Sequence, residues 1–166
     1  TMGKGRRKKT ASISRFKTSK KNGAFEVKGK THFDKLVSSF DGPVVVDFWA
    51  PWCGPCKAMT PVFDAAAKDH QDAVRFLKVN TEANQSLART FAVNSIPSLV
   101  ILLGGEVVDA RVGLTSRSHL EAMIRRALDK NEGKGLLDKV KRLFVNKPNT
   151  AAGLPTRATN AYIPVT

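Results

Sequence analysis

Apolar positions along the chain fall into short runs of two kinds. Pro43 to Ala50 carries Val44, Val45, Val46 and Phe48, a mostly apolar run suited to a strand covered on both faces. Ala24 to Lys28, Val74 to Asn80 and Ser98 to Leu103 read as further strands. Glu106 to Val112 follows the last of these across Gly104-Gly105, a two-residue hairpin signal. Helical spacing lies between the strands. Phe33, Leu36, Val37 and Phe40 define a helix that Thr31 can cap and Asp41-Gly42 can end. Met59, Val62, Phe63 and Ala66 define a second, with a kink expected at Pro61. Asn84 to Phe91 is a short third helix, and Leu120, Ile124 and Leu128 mark a fourth over Ser116 to Asp129. The order β-α-β-α-β-α-β-β-α predicts an α/β fold: a central mixed sheet with helices on both faces.

The flanks follow other rules. Residues 1–22 hold only Ile13 and Phe16 as large apolar side chains among Lys, Arg, Ser, Thr and Gly. Such a segment cannot bury enough surface to offset its ordering entropy, so disorder is expected. The same holds for 147–166, with Pro148, Gly153, Pro155 and Pro164. Between domain and tail, Leu136, Leu137, Val140, Leu143 and Phe144 recur at helical spacing opposite Lys139, Lys141 and Arg142. The expected organisation is a basic extension at 1–22, a globular domain at 23–130, a short basic amphipathic helix at 131–146 and a tail at 147–166.

Charge sharpens this division. The net charge is +14, yet residues 31–128 hold ten bases and ten acids. Residues 1–30 hold eleven bases against Glu26, and 129–166 hold seven bases against three acids. The basicity therefore belongs to the extensions. Neither extension nor core has an apolar run near the roughly 20 residues that a membrane-spanning helix needs. The basic start has no apolar segment behind it, so it does not read as a secretory signal, and Arg7 breaks the myristoylation pattern.

The two cysteines, Cys53 and Cys56, cannot form a disulfide scaffold. A structural zinc site needs about four ligands, and the scattered His32, His70 and His119 lack ligand spacing. No metal is expected. The motif Trp52-Cys53-Gly54-Pro55-Cys56 instead falls where a strand gives way to a helix. Two intervening residues at a first helical turn bring the sulfurs within bonding reach. The first cysteine meets unpaired backbone N–H groups and the positive dipole end, which favour a thiolate. Lowering a thiol pKa from about 8.5 to about 7 raises the thiolate fraction at neutral pH from roughly 3% to roughly 50%. Reduced basicity takes back about fivefold of the nucleophilic gain. The larger benefit is Cys53 as a leaving group. Gly54-Pro55 goes with the reducing end of the potential range.

The stretch from Val44 to Lys57, with Asp47-Phe48-Trp49-Ala50-Pro51 ahead of the cysteines, resembles the thioredoxin family, as does Ser95-Ile96-Pro97-Ser98. The likeness covers about 25–130. Arg75 to Ala83 is most similar to bacterial thioredoxins that carry an N-terminal zinc ribbon, but the ribbon cysteines are absent here. The resemblance implies a thioredoxin-like fold and a protein-disulfide reductase that needs no cofactor beyond the Cys53–Cys56 pair. It implies Cys53 as the attacking thiol, Cys56 as the resolving thiol, Asp47 as the buried proton acceptor and Lys78 as its neighbour. It implies a cis Pro97, and a substrate groove that Trp52, Gly54, Pro55, Ile96 and Gly113 share with it. Clients bearing disulfides and a thioredoxin reductase are the implied partners, with a monomer in the cytoplasm as the expected form.

Simpler readings stand beside these. Asp47 could be a satisfied polar group in the core, Lys78 could face solvent, and Pro97 could only end a strand. The basic extensions allow a second class of function, a module tethered to nucleic acid or an anionic membrane. The acid-poor, Ser- and Thr-bearing composition of the N-terminal extension also admits organelle targeting.

Overall fold

The computed structural model describes residues 20, 21 and 23–145, with side chains from 23 to 138. The expectations for 1–19 and 147–166 lie outside the described residues. Six strands form one sheet: β1 (Lys20–Lys21), β2 (Ala24–Glu26), β3 (Val44–Trp49), β4 (Arg75–Asn80), β5 (Ser98–Leu103) and β6 (Glu106–Val112). Their spatial order is β1-β2-β4-β3-β5-β6. The β2–β4 and β4–β3 pairs are parallel, and β1–β2, β3–β5 and β5–β6 are antiparallel. The helices are α1 (Lys30–Ser38), α2 (Gly54–Asp69), α3 (Gln85–Thr90) and α4 (Arg117–Val145). The mixed α/β sheet expected from the hydrophobic pattern is the one observed.

Alternation along each strand sorts side chains between two apolar layers. Val45, Phe76, Leu99 and Ile101 face Met59 and Phe63 of α2 and Leu120 and Ile124 of α4. Val44, Val46, Phe48, Leu77 and Val79 face the opposite way, onto Phe33, Leu36 and Leu87. The edge-on rings of Phe63 and Phe76, with centroids 5.3 Å apart, join α2 to β4. Gly23 enters β2 at φ +86, and a Cβ there would stand 2.9 Å from the Ala67 backbone, so only glycine admits this approach to α2. Both Gly104 and Gly105 have positive φ, as a two-residue turn matched to strand twist requires.

Helix α2 carries Pro61 inside it, and three local expectations are corrected. The sheet begins at Lys20, inside the stretch read as extension, because β1 pairs with β2 at its edge. Helix α1 has Gly29 as N-cap with no side-chain bond, so Thr31 lies within the helix, and α1 ends at Ser38 rather than near Gly42. The break expected after Asp129 is absent: α4 runs on through Gly133 and Gly135 to Val145. Glycine lowers helix propensity by about 1 kcal/mol but removes no hydrogen bond, and no proline intervenes before Pro148. Contacts still divide the chain into two units between Glu132 and Gly133.

Candidate active site

The loop after β3 brings Cys53 to the N-cap of α2, with Gly54 and Pro55 opening the helix. Proline suits that position, since it lacks an N–H the helix would leave unpaired. Cys53 and Cys56 form a disulfide with Cα atoms 5.3 Å apart. The Cys56 backbone N–H donates to Cys53 Sγ at 3.2 Å, so the first sulfur already receives one of the free amides of the helix start. Both cysteines are buried with Ala50, and Trp49 and Ile96 pack against them.

Beneath this turn lies a polar pair in an apolar setting. Asp47 shares the α2-facing side of β3 with Val45, and Lys78 shares that side of β4 with Phe76; the parallel register sets the two opposite each other. Lys78 Nζ stands 3.6 Å from Asp47 Oδ2. It also lies 5.6 Å from the Trp49 ring centroid and 5.4 Å from that of Phe63, within cation–π range. Asp47 is fully buried and neither carboxylate oxygen has a hydrogen bond. Burial therefore pushes its pKa up to about 6, against the opposing pull of the Lys78 ammonium. Asp64 and Glu26 add smaller upward pushes.

Two contributors escaped the sequence reading. Thr60 donates to the Cys56 carbonyl at 3.1 Å and accepts from Lys78 Nζ at 3.4 Å, linking the charged pair to the cysteine turn. Its position four residues after Cys56 was the available signal, because that spacing stacks side chains on a helix. Glu82 accepts from the indole N–H of Trp52 at 2.9 Å. Nothing in the local pattern pairs those two, since thirty residues separate them.

The remaining motif residues gather near the turn in part. Trp52 is 68% exposed. The Ile96-Pro97 bond is cis, Pro97 is buried, and Ile96 is half-buried against the cysteine cluster. The Gly113 N–H donates to the Pro97 carbonyl at 2.8 Å, and Gly113 itself has φ +92. A Cβ on Gly113 would meet nothing within 4 Å, so the space before it is open. Among the described residues no group of three or more His, Cys, Asp or Glu could hold a metal ion.

A disulfide-bonded cysteine pair at a strand-to-helix junction, on a mixed sheet that also buries an acid, defines a thiol–disulfide exchange protein. Comparison agrees. The thioredoxin family model matches residues 24–126. A thioredoxin of Porphyra purpurea is 42% identical over 94 residues, 57% of this chain and 88% of that protein. A thioredoxin of Pseudomonas aeruginosa is 41% identical over 92 residues, 55% and 85% of the two chains. The solved structure of a mutant thioredoxin from Halobacterium salinarum superposes with a TM-score of 0.60 at 33% identity, covering 64% of this chain and 92% of that one. The chain belongs to the thioredoxin family. It is a thiol–disulfide oxidoreductase acting as a protein-disulfide reductase, with the Cys53–Cys56 disulfide as its redox centre. Disulfide-bearing clients and a reductase are the partner classes that membership entails.

Proposed function

We propose the following division of labour for disulfide reduction. The Cys53 thiolate attacks one sulfur of the client disulfide, forming a mixed disulfide and releasing the client's other sulfur as a thiolate. Cys56 then loses its proton to Asp47 and attacks Cys53 Sγ. That step forms the Cys53–Cys56 bond and releases the second client thiolate. Two electrons thus pass to the client, and a thioredoxin reductase supplies two more to reduce the Cys53–Cys56 disulfide again. The observation that carries the order of attack is the N–H of Cys56 directed at Cys53 Sγ at the helix N-cap. A backbone donor and the dipole end stabilise negative charge on that sulfur more than on the other.

Asp47 serves as proton acceptor because burial brings its pKa to about 6, near enough to neutrality for transfer in both directions. Lys78 restrains that rise, and Thr60 connects it to the Cys56 turn. Trp52, Gly54, Pro55, Ile96, Pro97 and Gly113 form the client groove. The exposed indole and the open space before Gly113 support this.

The working form is a monomer in a reducing compartment, the cytoplasm. A chloroplast-like organelle is the alternative, since the 40% identical relative from Zea mays is a chloroplastic M-type thioredoxin. The basic extensions attach the neutral domain to polyanionic surfaces, nucleic acid or anionic membrane. Their charge supports this reading.

The test is trapping. Cys56→Ser should accumulate mixed disulfides through Cys53, whereas Cys53→Ser should accumulate none. In the reduced protein Cys53 should alkylate faster than Cys56. Equal alkylation rates would remove the assignment.

A further inference from the structure

The end of α4 carries an apolar stripe of its own, out of step with the one that precedes it. Leu120, Ile124 and Ala127 are buried in the core, but the positions that continue their series, Asn131, Lys134 and Asp138, are polar. A separate series then begins. Positions 136, 137, 140, 143 and 144 are Leu, Leu, Val, Leu and Phe. At about 100° per residue they fall within one arc of roughly 120°. Leu136 is 66% exposed and Leu137 60% exposed, although the backbone is already helical there. Two adjacent bare leucines on a preformed helix are unpartnered apolar surface, and the sequence continues their arc to position 144.

Charge indicates what covers it. Helix positions 139 and 141, both lysine, border the arc on either side, and residues 133–147 hold five bases against the single acid Asp138. An apolar arc rimmed by lysines matches the boundary between anionic headgroups and acyl chains, where long basic side chains reach the phosphates. The helix lies in such an interface rather than crossing it, because no described helix is long and apolar enough to span a membrane. Nucleic acid fits less well. Phosphate binding needs the bases but has no use for five large apolar positions, and Phe144 is the single aromatic residue between 133 and 147 to offer for base stacking.

We propose that the C-terminal part of α4, residues 133–145, is an interfacial helix that seats the reductase on an anionic lipid surface. This deepens the polyanion reading of the basic extensions. It also separates from that reading, because it requires the leucines as well as the charges.

The experiment uses the full-length protein with vesicles of phosphatidylcholine alone, vesicles containing phosphatidylserine, and duplex DNA. Wild type should bind the anionic vesicles and not the neutral ones. Leu136→Gln with Leu137→Gln alters no charge and keeps good helix formers, yet should weaken vesicle binding by about a hundredfold or more. It should leave DNA retention and insulin reduction unchanged. Leu136→Met with Leu137→Met should bind vesicles as wild type does. Undiminished vesicle binding by the glutamine variant would overturn the inference while leaving the polyanion reading intact. Absence of retention on both vesicles and DNA at low salt would overturn both.

Discussion

Asp47 is buried within the apolar run of β3, and that burial holds its carboxyl above its ordinary pKa. An acid held near pKa 6 in the fold, against an ordinary value of 3.8, binds more protons folded than unfolded between those values. Stability from this group is therefore present at low pH and lost as pH rises from about 4 through about 6. Above that window the ionised, unbonded carboxylate costs on the order of 3 kcal/mol. Asp47→Asn should accordingly stabilise the oxidised protein at pH 8, with the gain vanishing below about pH 4. The same substitution should slow client reduction and remove the rate increase centred near pH 6. Denaturant titrations at the two pH values and a pH–rate profile would measure both. A rate unaltered from pH 6 to 9 would leave Asp47 with a structural role only. The aspartate was legible in the sequence because it interrupts an apolar run. Its lack of hydrogen bonds was not, because the partners available to a buried group depend on what the neighbouring strands and helix present.

At the scale of elements, the connections are held by long-range polar contacts. Asn84, at the N-cap of α3, makes no capping bond. Its side chain instead accepts from the Gly29 N–H at 2.8 Å and donates to the Asn80 carbonyl at 3.0 Å and the Val27 carbonyl at 3.5 Å. One buried amide thereby ties the β2–α1 turn to the β4–α3 turn. Asn84→Ala would strand those backbone groups, and an unmet buried polar group costs about 1–3 kcal/mol. The expected loss is about 2–3 kcal/mol, read as a lower urea midpoint at unchanged slope. A loss within about 0.5 kcal/mol would mean that water takes over the bonds. From sequence alone, Asn84 marks only the start of a short helix. Its bond to Gly29, fifty-five residues away, has no local signal, because only the folded sheet places that N–H within reach.

For the whole molecule, charge and chemistry are segregated. The redox site lies in a domain whose bases and acids balance over 31–128, while the surplus sits before and after it. If the N-terminal extension neutralises about six phosphates of a duplex, log affinity should fall with log salt at a slope near −5. Removing residues 1–19 should flatten that slope and leave insulin reduction intact, because β1 and everything after it remain. Retention on a phosphate matrix across a salt series, beside the reduction assay, would show both. Loss of reductase activity on that truncation would mean that the extension belongs to the site.

The sequence by itself determined the strand and helix order, the hairpin at Gly104-Gly105, the strand-to-helix placement of Cys53 and Cys56, and the uneven charge. Each follows from local periodicity, turn chemistry or counting, which the chain carries with it. Only the tertiary structure decided that Asp47 and Lys78 face each other, since a parallel register that pairs residues 31 apart in sequence has no local signature. It likewise decided the pairing of Trp52 with Glu82, the recruitment of Asn84 and the edge strand at Lys20. Those depend on which surfaces are adjacent once the core is packed. Adjacency is a property of the folded sheet and not of any stretch of its sequence.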